Sequence, residues 1–256
     1  QQFNKHSFKT DAICLTSQGA LKNACVTGSW ERHGDWEGEI EANEAPLDIL
    51  SFWYTPQLIT LDGTFSLNAN LNGIGNKIST TSISAHLNPG QLSTRHGTKT
   101  IKYPYQSGQI NVSLKNKVLL STLRIQLNKN DNISSELKLP NASIDSITKK
   151  TQPIEGSLAI KIKKIDLNNL LLPYINISNG SINSHLTIAG TLKKPIIKGP
   201  LNINQLDLKL PKLGLKLTNA QCQLEAKDNS IDYHLSLLSD NNPLTLTGNA
   251  DLTHNG

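Results

Sequence analysis

Three carboxylates stand at alternate positions in a short acidic run, at Glu37, Glu39 and Glu41. Alternate residues of a β-strand share one face, so this spacing would place all three carboxylates together on one strand face. Carboxylates grouped in this way can bind a metal ion or act as the acid and base of a glycosidase. The intervening Ile40 and the lack of a partner histidine at ligand spacing favour a solvated face of an amphipathic strand.

The three cysteines cannot all pair within one chain. Cys14 and Cys25 bracket a ten-residue segment that contains Gly19, which is short enough to close as a hairpin-like loop, while Cys222 lies far along the chain. We therefore favour a Cys14–Cys25 disulfide, which would imply an oxidising compartment such as the periplasm. The alternative is two unpaired thiols in adjacent strands. Because the seven histidines are dispersed, we predict no metal site.

Sequence motifs of catalysis are absent from the chain. It has no Gly-x-Ser-x-Gly elbow, no His-Glu-x-x-His, no Walker A loop and no Gly-x-Gly-x-x-Gly opening a helix. We therefore expect neither an enzyme nor a bound cofactor. A β-helical enzyme that cleaves polysaccharides stays open as a minor hypothesis, because such active sites are assembled from distant acidic residues.

The charge distribution argues against a nucleic-acid partner. The formal net charge is +5, and residues 149–227 carry twelve lysines and four acidic residues. These lysines are scattered rather than gathered in blocks, no basic run is interleaved with aromatic residues, and the RNP, helix-turn-helix and zinc-finger patterns are missing. A solvated outer face explains the lysines, and we predict no nucleic-acid binding.

Alternation of apolar and polar residues is the dominant pattern of the chain. In residues 108–114, Ile110, Val112 and Leu114 share one face, and polar residues share the other, which is typical of a half-buried antiparallel strand. A glycine followed by this alternation recurs six times at irregular spacing, which indicates a loosely repetitive all-β array. No run approaches the roughly 18 uninterrupted apolar residues of a membrane-spanning helix.

Two local features interrupt the alternation. The apolar parity changes between Ile203 and Leu206, which predicts a β-bulge or a tight bend. Residues 166–172 begin with Asp166 as a candidate N-cap and end before Pro173, which predicts one or two turns of helix. We expect 1–256 to be part of one elongated region, with an irregular portion at 1–107 and a regular strand array at 108–256. The missing initiator methionine and the final Asn-Gly turn lead us to expect a piece of a longer chain.

A flat sheet of about fifteen such strands, at about 4.8 Å per strand, would extend roughly 70 Å and could not wrap around a compact core. Folding the sheet lengthwise into a U would bury the Leu and Ile face on the concave side and leave Asn, Ser, Thr and Lys outside. Outer-membrane barrels place the apolar side outward and carry aromatic girdles, whereas aromatic residues make up only 5% of this chain. We therefore predict an all-β, antiparallel U-shaped groove with an apolar interior.

From Asp166 onward the chain resembles a known family. The stretch from Gly180 to Leu201 (GSINSHLTIAGTLKKPIIKGPL), followed by Leu208 to Leu215 (LKLPKLGL), is similar to the later part of the TamB family, whose members are related to the AsmA-like proteins. The segment Cys25 to Trp30 (CVTGSW) resembles the cysteine-bearing segment that precedes this region in the family. Residues 93–107 have no counterpart that we can place.

The resemblance implies a β-taco groove in the periplasm, within a longer protein that is anchored to the inner membrane of a Gram-negative bacterium. Two functions are attributed to the family. One moves phospholipids between the inner and outer membranes, and the other assists the insertion of outer-membrane proteins such as autotransporters together with the barrel partner TamA.

The alternation itself favours the lipid function, because a dry aliphatic trough shields acyl chains without a specific polar contact. The lipid-contacting residues that we predict are Ile110, Val112, Leu114, Leu158, Ile160, Leu186, Ile188, Leu201 and Ile203. Plain core packing is the alternative role for each of them. The competing function is a scaffold or chaperone that offers a sheet edge to nascent outer-membrane proteins by β-strand addition.

Overall fold

Nearly all of the chain that the structure describes lies in β-strands. The computed structural model describes residues 2–4, 7–15, 23–49, 59–75, 77–96, 99–143, 149–164, 176–210, 214–228, 230–239 and 242–251. These residues form nineteen strands and no α-helix, apart from a single 3₁₀ turn at 47–49. The predicted all-β architecture is therefore confirmed. The helix predicted at 166–172 lies outside the described residues.

The strands have 3 to 16 residues and follow one another closely along the chain. The bounds of the first eleven are β1 Gln2–Asn4, β2 Ser7–Leu15, β3 Asn23–Glu31, β4 Asp35–Pro46, β5 Ile59–Asp62, β6 Thr64–Ile74, β7 Lys77–Leu87, β8 Gly90–His96, β9 Lys99–Tyr105, β10 Ser107–Lys115 and β11 Val118–Gln126. The bounds of the remainder are β12 Asn132–Leu139, β13 Glu155–Ile162, β14 Asn176–Ser178, β15 Ser181–Gly190, β16 Pro195–Leu210, β17 Leu215–Lys227, β18 Ser230–Ser239 and β19 Asn242–Asp251.

The chain divides into two compact units. The first unit comprises residues 1–127 and 136–153, and the second comprises residues 128–135 and 154–256, so that β12 contributes residues to both. In the first unit the strand order is β1-β2-β3-β4-β6-β7-β10-β11, and the neighbours run antiparallel. Hairpins between neighbouring strands build most of this order, which is why period-two alternation persists along it.

A second, three-stranded sheet belongs to the first unit. Its order is β5-β8-β9, again antiparallel, with Leu61 opposite Leu92 and Leu92 opposite Tyr103. The stretch at residues 93–107, for which the resemblance offers no counterpart, provides most of β8 and all of β9. Because β5 precedes β6 while β8 and β9 follow β7, this sheet depends on pairing between residues about thirty positions apart.

The second unit has the order β13-β15-β16-β17-β18-β19, and β14 also pairs with β16. The register between β16 and β17 shifts between Ile203 and Leu206. Gln205, inside this interval, has a φ of 54°, the left-handed conformation that accompanies a local irregularity of a strand. The bulge predicted from the change in apolar parity is therefore confirmed.

Candidate functional site: the apolar face of each unit

Directly paired residues of neighbouring strands project from the same face of a sheet, so the register shows which side chains lie together. In the first unit Ile110 lies opposite Ala85 and Leu123, and Val112 lies opposite Ile83. Extending these pairs across the strands gives an apolar row through Leu15, Ala24, Ala42, Leu67, Ala85, Ile110 and Leu123. A neighbouring row passes through Ile13, Val26, Ile40, Ala69, Ile83 and Val112. Together these rows form the apolar face of the first unit.

This apolar face is most exposed on β2, β3 and β4. Leu15 is 68% exposed, Ile13 55% and Val26 49%, although all three are large aliphatic side chains. Isolated exposed aliphatic residues are ordinary, but these three are contiguous, because Ile13 pairs with Val26 and Leu15 follows two positions later on the same face. The face therefore offers an open apolar surface at this end of the strand order.

The three-stranded sheet covers another part of the same face. Tyr105 and Leu61 of the small sheet join a cluster with Ala45, Leu47 and Phe65. A Cβ added to Gly90 would overlap the Tyr105 phenol, so glycine is required for this close approach. Burial raises the pKa of Tyr105 above its ordinary value, and the nearby Asp62 carboxylate adds to the shift. The small sheet is thus packed onto the apolar face and is not a separate surface hairpin.

A second place where the face is closed lies at Leu114. This side chain is 5% exposed and packs with Leu139 and Ala142, with Ile78 and Leu119 at the margin of the cluster. The main-chain N–H of Ala142 donates to Lys117 O at 2.7 Å, which holds the covering segment in place. Three lipid-contacting residues were predicted in the first unit. Ile110 and Val112 are half-buried, whereas Leu114 has little surface left for a ligand.

The opposite face of the first unit is polar and internally hydrogen-bonded. Asn68 Nδ2 donates to Glu41 Oε1 at 3.3 Å, and Ser29 Oγ donates to Glu37 Oε1 at 3.0 Å. Asn111 continues the pattern by accepting from Ser84 Oγ at 3.0 Å. Two adjoining depressions on this side have volumes of about 410 and 380 Å³.

The acidic run belongs to this polar face, because Glu37 and Glu41 accept the hydrogen bonds described above. Among the described residues, no group of three or more His, Cys, Asp or Glu side chains has the arrangement of a metal site. The carboxylates therefore act as hydrogen-bond acceptors along a solvated strand face.

The cysteines of the N-terminal part also lie on the polar face. Cys14 and Cys25 are linked by a disulfide, with a Cα–Cα distance of 4.0 Å, and they are directly paired residues of β2 and β3. Cys25 in turn lies opposite Glu41 of β4. The disulfide therefore joins the two strands whose other side carries the exposed apolar residues.

The second unit repeats the division into an apolar and a polar face. Leu158 lies opposite Leu186, and Ile188 lies opposite Ile197. Ile160 and Leu201 are both opposite Ser184, and Ile203 lies opposite Ile182. The register thus places all six residues predicted in this unit on one face, where each is half-buried. Ser184 is the buried polar member, and its hydroxyl donates to Pro200 O at 3.0 Å.

Cys222 belongs to the apolar face of the second unit. It lies between Ile203 of β16 and Leu235 of β18, and Leu235 lies opposite Leu246, which is 52% exposed. Burial raises the pKa of the Cys222 thiol, so the neutral form is favoured. Cys222 is therefore a small apolar residue in this row.

On the polar face of the second unit, charged side chains pair with one another. Lys227 forms a short ion pair with Asp232, and Asn249 Nδ2 also donates to this carboxylate. These hydrogen bonds hold the pKa of Asp232 below its usual range and raise the pKa of Lys227. Lys198 pairs with Asp228 at 2.8 Å. All four charged groups are substantially exposed, which is consistent with a solvated face.

Antiparallel strands that present one apolar and one hydrogen-bonded polar face define the class: an all-β sheet protein with a partly open apolar surface. Residues 2–203 match the family model described as TamB, N-terminal domain, and the chain therefore belongs to the TamB family. The motifs between Gly180 and Leu201 fall inside this match. They belong to the N-terminal domain, and their assignment to the later part of the family was wrong.

One curated relative is the Haemophilus influenzae protein named translocation and assembly module subunit TamB. It is 24% identical to this chain over 199 residues, which cover 78% of this chain and 13% of the relative. The chain therefore spans a small part of the length of this relative. No solved structure matches the chain. Within the described residues, no helix has the length and apolar character needed to cross a membrane.

Proposed function

We propose that this chain forms part of a periplasmic phospholipid conduit between the inner and outer membranes, in which its apolar faces shield acyl chains from water. The observation that carries the proposal is the pairing of large, exposed aliphatic side chains into rows, as with Ile13 and Val26, on the side opposite a hydrogen-bonded polar face. A monomeric soluble sheet ordinarily covers such a face, so contiguous exposure favours an apolar ligand.

The energetics fit a ligand that slides. Burial of one acyl CH₂ group contributes about 0.8 kcal/mol wherever it lies on the apolar face. An acyl chain that leaves one aliphatic side chain therefore regains the same contribution on the next. A row such as Ile203, Cys222, Leu235 and Leu246 presents no charged group and no strong hydrogen-bonding side chain to fix one position. Half-buried side chains leave the ligand a shallow surface, which suits passage better than tight binding.

The proposed location is the periplasm, as a part of a longer protein anchored to the inner membrane. The Cys14–Cys25 disulfide supports this location, because stable disulfides belong to oxidising compartments. The name of the Haemophilus influenzae relative supports a place in a translocation and assembly module, whose outer-membrane partner in this proposal is the barrel protein TamA. In this account the chain acts by binding and without catalysis or a cofactor.

The test is a pair of neighbouring arginine substitutions in β15. Ile188 lies on the apolar face opposite Ile197, whereas Thr187 lies on the other face opposite Lys198. Ile188→Arg is expected to block lipid transfer between donor and acceptor vesicles, because it places a charge in the path of the acyl chains. Thr187→Arg is expected to leave transfer intact. Equal effects of the two substitutions would count against the proposal.

A further inference from the structure

The hairpin between β15 and β16 combines an apolar end with two adjacent cations. Its turn, Thr191 to Lys194, is closed by reciprocal main-chain hydrogen bonds of 3.2 and 3.1 Å between those two residues. Thr191 Oγ1 also accepts from the Lys194 N–H at 3.2 Å. The tip is therefore a defined structure, and it presents Leu192, which is 41% exposed, beside exposed Lys193 and Lys194.

The apolar face of the second unit leads directly to this tip. Ile188 and Ile197 are paired across the two strands, and Ile197 is among the exposed large hydrophobic residues. Ile197 lies three positions after Lys194, which corresponds to about 10 Å of extended strand. An acyl chain lying on the Ile188–Ile197 pair would thus place a polar headgroup within reach of the two lysines.

The two ion pairs described for this unit do not include Lys193 or Lys194. Lys198, the next cation along β16, is already paired with Asp228 at 2.8 Å. The Ile154 N–H donates to Gly190 O at 3.0 Å. The next residue, Glu155, is therefore an acidic residue close to the base of the hairpin tip. Two lysines that are adjacent in sequence, at the tip of a hairpin whose strands carry an apolar face, are complementary to an amphiphile whose headgroup carries a phosphate.

We infer that this hairpin is a headgroup-binding element, in which Lys193 and Lys194 bind the phosphate of a phospholipid whose acyl chain lies on Ile188 and Ile197. The inference rests on the proposed lipid function and adds to it an orientation: the headgroup lies at the hairpin tip, and the acyl chain extends inward over the apolar face. The lysines supply long-range attraction for the anion, while the aliphatic pair supplies the contact that a free phosphate would lack.

The experiment measures binding of three probes to the purified protein by calorimetry: lysophosphatidylglycerol, a monoacylglycerol with the same acyl chain, and glycerol phosphate. The variant is Lys193→Glu with Lys194→Glu. A matched control, Lys161→Glu with Lys209→Glu, makes the same change in net charge at exposed residues of the same unit that lie away from the tip. Circular dichroism verifies that both variants are folded.

The inference predicts that the tip variant binds lysophosphatidylglycerol about ten-fold more weakly, while its affinity for the monoacylglycerol and the behaviour of the control variant are unchanged. Unchanged affinity in the tip variant, or an equal loss in the control, would overturn the headgroup site but leave the apolar face standing. Glycerol phosphate that binds as tightly as the lipid would also overturn it, because the site would then be one for free anions. A wild-type protein that binds neither lipid would overturn the proposed function itself.

Discussion

The indole ring of Trp36 lies directly against Gly73, so closely that a Cβ added to Gly73 would overlap ring atoms Cε2 and Cζ2. The two residues are paired across β4 and β6, and Trp36 Nε1 donates to Gly75 O at 3.0 Å. The ring thus fills the space above a glycine and fixes the end of the apolar face near the β3–β4 turn.

Gly73→Ala is expected to destabilise the protein by about 1–3 kcal/mol, because the added methyl would overlap both the Trp36 ring and the Lys77 carbonyl oxygen and would displace them. The measurement is urea unfolding followed by tryptophan fluorescence. Gly38→Ala is the matched control, since its added Cβ would meet nothing nearer than Thr27 O at 3.9 Å. We expect the control to change stability by less than about 0.5 kcal/mol. Similar losses in the two variants would contradict the packing described for Trp36.

The disulfide is expected to stabilise β2 and β3 without taking part in ligand binding. Replacing both cysteines (Cys14→Ser with Cys25→Ser) should lower the free energy of unfolding by about 2–4 kcal/mol, since the link restricts the unfolded chain. Lipid affinity should be retained, because Cys25 lies opposite Glu41 on the polar face. Reduction of the wild-type protein should reproduce the loss. A loss of lipid binding without a loss of stability would contradict this division of roles.

Cys222 provides a reporter for the apolar face of the second unit, because the other two cysteines are joined to each other. Its alkylation by a maleimide is expected to slow several-fold when the protein is loaded with lipid. The thiolate is the reactive form, and an ordinary cysteine has a pKa of about 8.5. Because the pKa of Cys222 is raised, its alkylation rate should increase over a higher pH range than that of an ordinary cysteine.

The control for this measurement is Cys222→Ser combined with His234→Cys, because His234 lies on the opposite face, across from Gln223. Its alkylation should not depend on lipid. Equal protection at positions 222 and 234 would show that lipid does not distinguish the faces.

Tyr105 makes the stability of the small sheet depend on pH. Burial and Asp62 raise the pKa of the phenol in the folded protein, so the folded state binds its proton more tightly than the unfolded state. The contribution is therefore fully present below the unfolded value of about 10 and is lost as the pH rises through the folded value. Above about pH 10, the free energy of unfolding of wild type, measured by urea unfolding, should fall relative to that of Tyr105→Phe. A difference independent of pH would contradict the buried position of the phenol.

The alternation of residue types was sufficient to predict strands and faces. A period of two in residues such as Ile110 and Val112 reflects local backbone geometry, and the register of adjacent hairpins preserves it from strand to strand. The bulge after Ile203 could be predicted for the same reason, since an inserted residue reverses the parity of every following side chain.

The segments that cover the apolar face pair with strands far away in sequence, so the local alternation does not predict them. Leu114 alternates like Ile110, yet Leu139 and Ala142 bury it. The small sheet is similar, because β5 pairs with β8 across a complete hairpin, and neither strand carries a local signal of where it packs. No local pattern predicts the position of Trp36 over Gly73, because this contact requires the register of β4 with β6.

The central claim is that acyl chains lie on the apolar face, and site-specific photo-crosslinking in cells tests it most directly. A photoreactive residue is placed at Ile188 and, in a separate variant, at Thr187, which are adjacent in β15 but face opposite sides. The account predicts phospholipid adducts at position 188 and none at position 187. Protein adducts in place of lipid at 188, or no lipid at either position, would contradict it and favour the chaperone function.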